Sequence, residues 1–150
     1  MIRPEAPRDR DSALEVERLA FGSEEESGIV QSVRDEEGSF ALVADERGRI
    51  VGHVQFSRGR IGETAVLALG PIGVLPERQG RGIGSSLIRG GLDEARSRGE
   101  MAVMLLGDPS FYRRFGFRPG SAFGLSNPFT GVRPDGFEIK EEDFMLVVLK

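Results

Sequence analysis

The feature that most restricts the fold is a glycine-rich turn, Gln79-Gly-Arg-Gly-Ile-Gly84, set between an apolar run and a long amphipathic segment. Upstream, Ala65-Val-Leu-Ala-Leu69 continues through Gly70-Pro71-Ile72-Gly73-Val74. A proline and two glycines inside a continuing apolar strand predict a bulge or splay rather than a flat central ladder. Downstream, Ile83, Leu87, Ile88, Leu92 and Ala95 fall on one face of a helix over residues 82–98, which Gly99 ends. Met101-Ala-Val-Met-Leu-Leu106 then reads as a strand covered on both faces. Strand, helix and strand in this order predict a right-handed parallel unit. The 65–74 and 101–106 strands should pair in parallel and diverge at their C-terminal ends, beside the start of the helix.

The rest of the chain reads as antiparallel. Leu14, Val16, Leu19, Ala20 and Phe21 have mostly helical spacing, and a helix over 11–21 is expected with Asp11 or Ser12 as its cap. A weaker helix follows over 24–34. Strands over 40–44, 50–56 and 65–69, with turns at 45–48 and 58–62, form a meander. A short helix over 109–115 and a strand over 144–149 complete the pattern. The class is α+β (mixed α/β), with a mixed, mostly antiparallel sheet flanked by helices. With 150 residues and no repeat, linker or low-complexity tract, residues 1–150 read as one domain.

Composition removes several chemistries. Cysteine is absent, so disulfides, thiolate metal sites and Cys nucleophiles are excluded. His53 is the one histidine, which excludes a multi-histidine metal site, and no metal is expected. The net charge of −4 argues against a nucleic-acid partner. No apolar run approaches a membrane span, and the charged first ten residues do not resemble a signal peptide, so a cytoplasmic location is expected. The acidic runs at 24–26, 35–37 and 141–143 read as solvated faces and turns, or as an acceptor cleft drawing in a cationic amine.

At the glycine-rich turn, Gly80, Gly82 and Gly84 remove side chains where the backbone enters a helix, so free amides can converge on an anion. Arg78 and Arg81 add charge, and Ser85 and Ser86 add hydroxyls in the first turn. The segment looks like a pyrophosphate cradle. A P-loop would need a Gly-Lys-Ser/Thr ending, and no lysine is near. A dinucleotide fold would need Gly-x-Gly-x-x-Gly after the first strand of a parallel sheet, and neither spacing nor position fits.

Gln79-Gly-Arg-Gly-Ile-Gly84 resembles the Gln/Arg-x-x-Gly-x-Gly/Ala signature of the GNAT superfamily of N-acetyltransferases. Phe111-Tyr-Arg-Arg-Phe-Gly-Phe117 is similar to that family's Tyr-x-x-x-Gly-Phe, and the element order agrees over essentially the whole chain. The resemblance implies direct transfer of the acetyl group of acetyl-CoA to an amine of a small-molecule or peptide acceptor. The backbone of Ile72, Gly73 and Val74 would meet the thioester and pantetheine arm in a gap between splayed strands. Gln79, Gly80, Arg81, Gly82, Ile83, Gly84 and Ser85 would hold the pyrophosphate. Tyr112 would protonate the departing thiolate. Oligomeric state, a homodimer included, stays open.

Two family features are missing. The strand over 64–73 carries no carboxylate, with Ala68 at the usual glutamate position, and Gly107-Asp-Pro-Ser110 stands where an asparagine often precedes the tyrosine. The general base is therefore open among His53, Glu63, Asp108, one of Glu24 to Glu26, and water. In a strand His53 shares a face with Val51 and Gln55; it relays a proton if that face lines the cleft and is structural otherwise. Tyr112, the one tyrosine beside ten phenylalanines, is either the acid or a core aromatic with a polar tip. The acceptor would be shaped by 21–34 and by the Gly- and Pro-rich segment 121–136. A non-catalytic acyl-CoA binding module and a nucleotide-binding loop are the competing functions.

Overall fold

The computed structural model describes residues 1–134 and 136–149. The chain opens with strand β1 (Ile2–Pro4) and a 3₁₀ turn (Pro7–Asp9) that leads into α1 (Arg10–Phe21). Asp9, not Asp11 or Ser12, is the residue at the helix start. Its carboxylate accepts from the Ala6 amide at 2.7 Å and from the Arg3 guanidinium at 2.6 and 3.0 Å. Arg3 and that amide hold the Asp9 carboxyl down at about 2. Gly22, in the left-handed region with φ 69°, returns its amide to Arg18 O and stops the helix.

Helix α2 (Glu25–Val33) precedes a long meander of β2 (Phe40–Glu46), β3 (Arg49–Ile61) and β4 (Thr64–Val74). Arg47 and Gly48, with φ 52° and 92°, make the two-residue turn whose twist suits a hairpin. Residues 58–62 are not the expected turn. β3 stays paired with β4 out to Ile61 opposite Thr64, Arg58 reaches across to Glu100 at 2.8 and 2.9 Å, and the chain reverses only at Gly62. Helix α3 (Ile83–Ser97), β5 (Ala102–Leu106), α4 (Pro109–Tyr112), β6 (Arg118–Pro119), the hairpin β7 (Gly131–Val132) and β8 (Glu138–Ile139), and β9 (Phe144–Val148) follow.

The main sheet has the order β1-β2-β3-β4-β5-β9-β6. Among the described residues only β4 and β5 pair in parallel, as the strand–helix–strand reading requires; every other neighbour is antiparallel. The late strand β9 inserts between β5 and β6, so the end of the described chain lies inside the sheet, one strand from its edge.

The two faces are covered differently. On one, α3 lays Leu87, Ile88, Leu92 and Ala95 over Val54 and Phe56, and Gly91 gives the Phe56 ring room to reach the helix. On the other, α1 crosses β3 and β4, bringing Glu17 against His53 and Gly73. Adjacent residues of β3 show the division: Gly52 faces Leu87 and Ile83 of α3, and His53 faces α1. Among the described residues no helix is long and apolar enough to cross a membrane.

Candidate active site

β4 changes character halfway along. Against β3, Ile72 lies opposite Val54 and Leu69 opposite Phe56, so Gly70 and Pro71 together face Gln55. This is the bulge foreseen from the Gly-Pro step. Against β5 the ladder has two rungs, Leu67 with Val103 and Ala68 with Met104, and stops there. From Leu69 to Val74 the strand is held from the β3 side alone.

Strand alternation then identifies the groups left without a ladder partner. The Leu75 amide donates to Val51 O at 2.9 Å, so Gly73 and Leu75 turn their polar groups toward β3. Ile72 and Val74 turn theirs the other way, into the gap. Gln79 Nε2 donates to Val74 O at 3.0 Å from that side, closing the loop onto the strand end.

Beyond Gln79 the loop is built for close approach. Gly80 and Gly82 have φ of 76° and 83°, and a Cβ on either would project into open space. α3 begins without a side-chain cap and without an acid in its first turn, and its first backbone bond runs from the Ser86 amide to Gly82 O. The amides of Ile83, Gly84 and Ser85 therefore point outward at the positive end of the helix. Gly84 is different from its neighbours: its φ is ordinary, and an added Cβ would touch only Val74 at 3.9 Å. Arg81 is exposed and makes no ion pair among the described residues, whereas Arg78 is tied to Glu46 at 2.9 Å. Of the two arginines expected to supply charge, only Arg81 is free to do so.

At the end of β5 a cleft of about 720 Å³ opens, walled by Leu106, Gly107, Asp108 and Pro109 on one side and by Arg133, Phe137 and Ile139 of the β7–β8 region on the other. Asp108 starts α4 by accepting from the Ser110 amide at 2.9 Å and from Ser110 Oγ at 2.8 Å. Those bonds hold its carboxyl below the usual range, which makes it a weak proton acceptor. Tyr112 packs edge-on to Phe111 and Phe117, with centroids 5.0 and 5.9 Å away, and its ring rests on Gly107, where any side chain would overlap it. Burial alone raises the phenol above its ordinary value of 10.0.

The other base candidates scatter. Glu63 sits exposed in the β3–β4 turn, at the opposite end of β4 from the splay. Glu25 pairs with Arg133 at 3.4 Å, joining the start of α2 to the β7–β8 region, and Glu26 accepts from Ser23 Oγ at 3.1 Å. His53 is fully buried, with Nδ1 2.5 Å from Glu17 Oε2. It stands behind the cleft surface rather than on it, because α1 covers its face of β3; Val51, expected on the same face, is the extra residue of a bulge against β2 and lines a cavity with Gly82 and Ile83 at the start of α3 instead. Sequence reasoning missed Glu17 and Gly107. The signal for Glu17 was available: it lies three residues after Leu14 and four after Ala13, a charged residue in the buried stripe of α1. Among the described residues no three His, Asp or Glu side chains converge as a metal site.

Residues 1–120 match the acetyltransferase (GNAT) domain family. The chain is 36% identical over 118 residues to the uncharacterized N-acetyltransferase YjhQ of Escherichia coli K12, covering 74% of this chain and 65% of that protein. A GNAT-family acetyltransferase of Brucella melitensis, solved in complex with acetyl-CoA, superposes with a TM-score of 0.75 at 42% identity, over 79% of this chain and 82% of that one. The Escherichia coli N-acetyltransferase YhbS, solved with CoA, gives 0.83 at 30% identity, over 100% and 81%.

Proposed function

The chain belongs to the GNAT family of acetyltransferases, and on that premise we propose that it moves the acetyl group of acetyl-CoA directly onto an amine of a small-molecule or peptide acceptor. The observation that carries this reading is one continuous track of unpaired backbone. It runs from Ile72 and Val74, along the open side of β4, to the uncapped amides of Ile83, Gly84 and Ser85. Acetyl-CoA, bound as a substrate, supplies an activated acyl group on a thiol leaving group. The amides at the start of α3, with Arg81, suit its pyrophosphate. The edge of β4 suits an amide-bearing arm, and an amide there would polarise a thioester carbonyl as oxyanion donors do.

Tyr112 supplies the acid. Its phenol is neutral at physiological pH already at its ordinary value, and burial raises it further, so it holds a proton to give to the thiolate as the C–S bond breaks. Two of the relatives' structures contain acetyl-CoA or CoA, which supports the choice of donor. The cleft beside Leu106 and Gly107, closed on its far side by the β7–β8 region, is the place for the acceptor.

Thiol release from acetyl-CoA with a panel of polyamines, amino acids, aminoglycosides and peptide N-termini tests the proposal. At least one amine class should release thiol. Tyr112→Phe should then turn over about 10²–10³-fold more slowly at unchanged affinity for acetyl-CoA, the mark of a proton donated in the transition state. The absence of a carboxylate from β4 favours a second reading, a non-catalytic acyl-CoA binding module. Tight CoA binding without thiol release from any amine would decide for it.

A further inference from the structure

α1 carries a carboxylate into the sheet interior that no part of the preceding chemistry uses. Glu17 has no exposed surface, and among the described residues its one polar partner is His53, through Oε2. Its other oxygen, Oε1, has no hydrogen-bond partner. That oxygen lies directly beneath Gly73: a Cβ built there would sit 2.6 Å from Oε1 and 3.1 Å from Cδ. Gly73 is flanked by Ile72 and Val74, the two residues whose amides turn into the gap between β4 and β5. The far side of the pair is unpartnered as well. His53 Nε2 has no hydrogen-bond partner, and Glu5 Oε1 stands 3.8 Å from it. Glu5 in turn pairs with Arg34 at 3.3 Å, and both line a surface cavity of about 320 Å³. A pair kept only for packing closes both of its ends, because buried polar atoms without partners are costly. Here both ends are buried without a partner, one against Gly73 and one 3.8 Å from Glu5.

We propose that Glu17 takes the proton from the attacking amine, and that His53 and Glu5 behind it carry that proton to solvent. The inference rests on the acetyl-transfer reading above. As the amine nitrogen bonds the thioester carbon, one N–H proton passes to Glu17 Oε1. As the C–S bond breaks, the thiolate takes the Tyr112 proton. One proton leaves through His53 and one returns to Tyr112 from the cleft, so charge and atoms balance over the cycle. His53 is a positioning and relay residue, and Glu17 is the base.

The surroundings suit the role. Burial pushes the Glu17 carboxyl up, the hydrogen bond and charge of His53 from β3 pull it down, and Glu26 from α2 pushes it up again, with a net rise. β4 contributes only backbone at Gly73. Such a carboxyl works closer to neutral pH than an exposed one.

The test uses the whole chain and the amine that the wild type acetylates fastest. Glu17→Gln should cut kcat about 10²-fold, leave calorimetric CoA affinity unchanged, and abolish the acid limb of the kcat/KM pH profile. His53→Gln keeps the carboxyl and should move the acid limb without removing it, which also serves if Glu17→Gln does not fold. Wild-type kcat and an intact acid limb in Glu17→Gln would overturn the inference and leave acetyl transfer standing. A wild type that binds no CoA and releases no thiol would instead bring down the acetyl-transfer reading itself.

Discussion

Asp9 and Glu17 lie about two helical turns apart on the same stretch of chain, both shielded from solvent, both facing a basic side chain, and their carboxyls shift in opposite directions. Asp9 meets the permanently charged fork of Arg3 and a backbone amide, and Arg3 is itself shared with Asp45. Every lone pair that needs a donor finds one, and the charged form wins. Glu17 has one donor, an imidazole that can lose its charge, and an oxygen facing glycine backbone with no donor on it. Burial then outweighs the partner. Proximity of opposite charge alone does not fix a carboxyl in its ionised state; the number of donors and the permanence of the partner's charge decide it. The first arrangement clamps the chain terminus to the sheet, and the second leaves a group able to change its protonation.

The largest effect expected from this contrast is at His53. In His53→Phe the Glu17 carboxyl loses its only donor and must retreat to the neutral acid. A loss of about 1–3 kcal/mol in urea unfolding at neutral pH is expected. Combining it with Glu17→Leu should restore wild-type stability or exceed it, since apolar replacement of both members of a buried pair removes the desolvation cost. Equal losses in single and double variants would break the comparison by showing the two residues uncoupled.

At Asp9 the folded carboxyl sits at about 2 and the unfolded one near 3.8, so its stabilisation is complete above pH 4 and vanishes as pH falls from about 4 to 2. Asp9→Asn should flatten the acid limb of the stability curve over that interval, measured by thermal melts across pH. A steep limb surviving in Asp9→Asn would place the acid sensitivity elsewhere. The smallest effect belongs to a pair that is neither buried nor shared: Arg96 and Asp93 stand 3.3 Å apart on α3, with side chains 51% and 80% exposed. Arg96→Ala should change stability by less than about 0.5 kcal/mol.

Legibility in the sequence followed the range of the forces involved. Helix α3, β5 and the parallel pair were readable because their apolar spacing and the glycines beside them act over a few residues. The splay was readable for the same reason, from Gly70-Pro71. Strands β1, β6, β7 and β8, of two or three residues, are too short to show any period. The extension of β3 through Arg58 and Arg60 looked like a turn, since its partner Glu100 lies forty-two positions away. The same limit hid the relation of Glu17 to His53, thirty-six positions apart. His53 could be placed on a strand face, but whether that face was lined or covered depended on where α1 crosses. Tyr112 was located by its motif, yet the space it needs at Gly107 is a property of the packed chain.

The short pairing of β4 with β5 also has a mechanical meaning. Two rungs, at Leu67–Val103 and Ala68–Met104, are the whole seam between one plate made of β1 to β4 and another made of β5, β9 and β6. β5 is fastened to β9 by five rungs, from Ala102 with Val148 to Leu106 with Phe144, which ties the second plate together more firmly than the seam ties it to the first. A wider opening between the plates would strain the seam and leave the five-rung ladder alone. On the acetyl-transfer reading proposed above, tolerance for an acyl group bulkier than acetyl would be set by the stiffness of that seam as much as by the side chains that line the cleft.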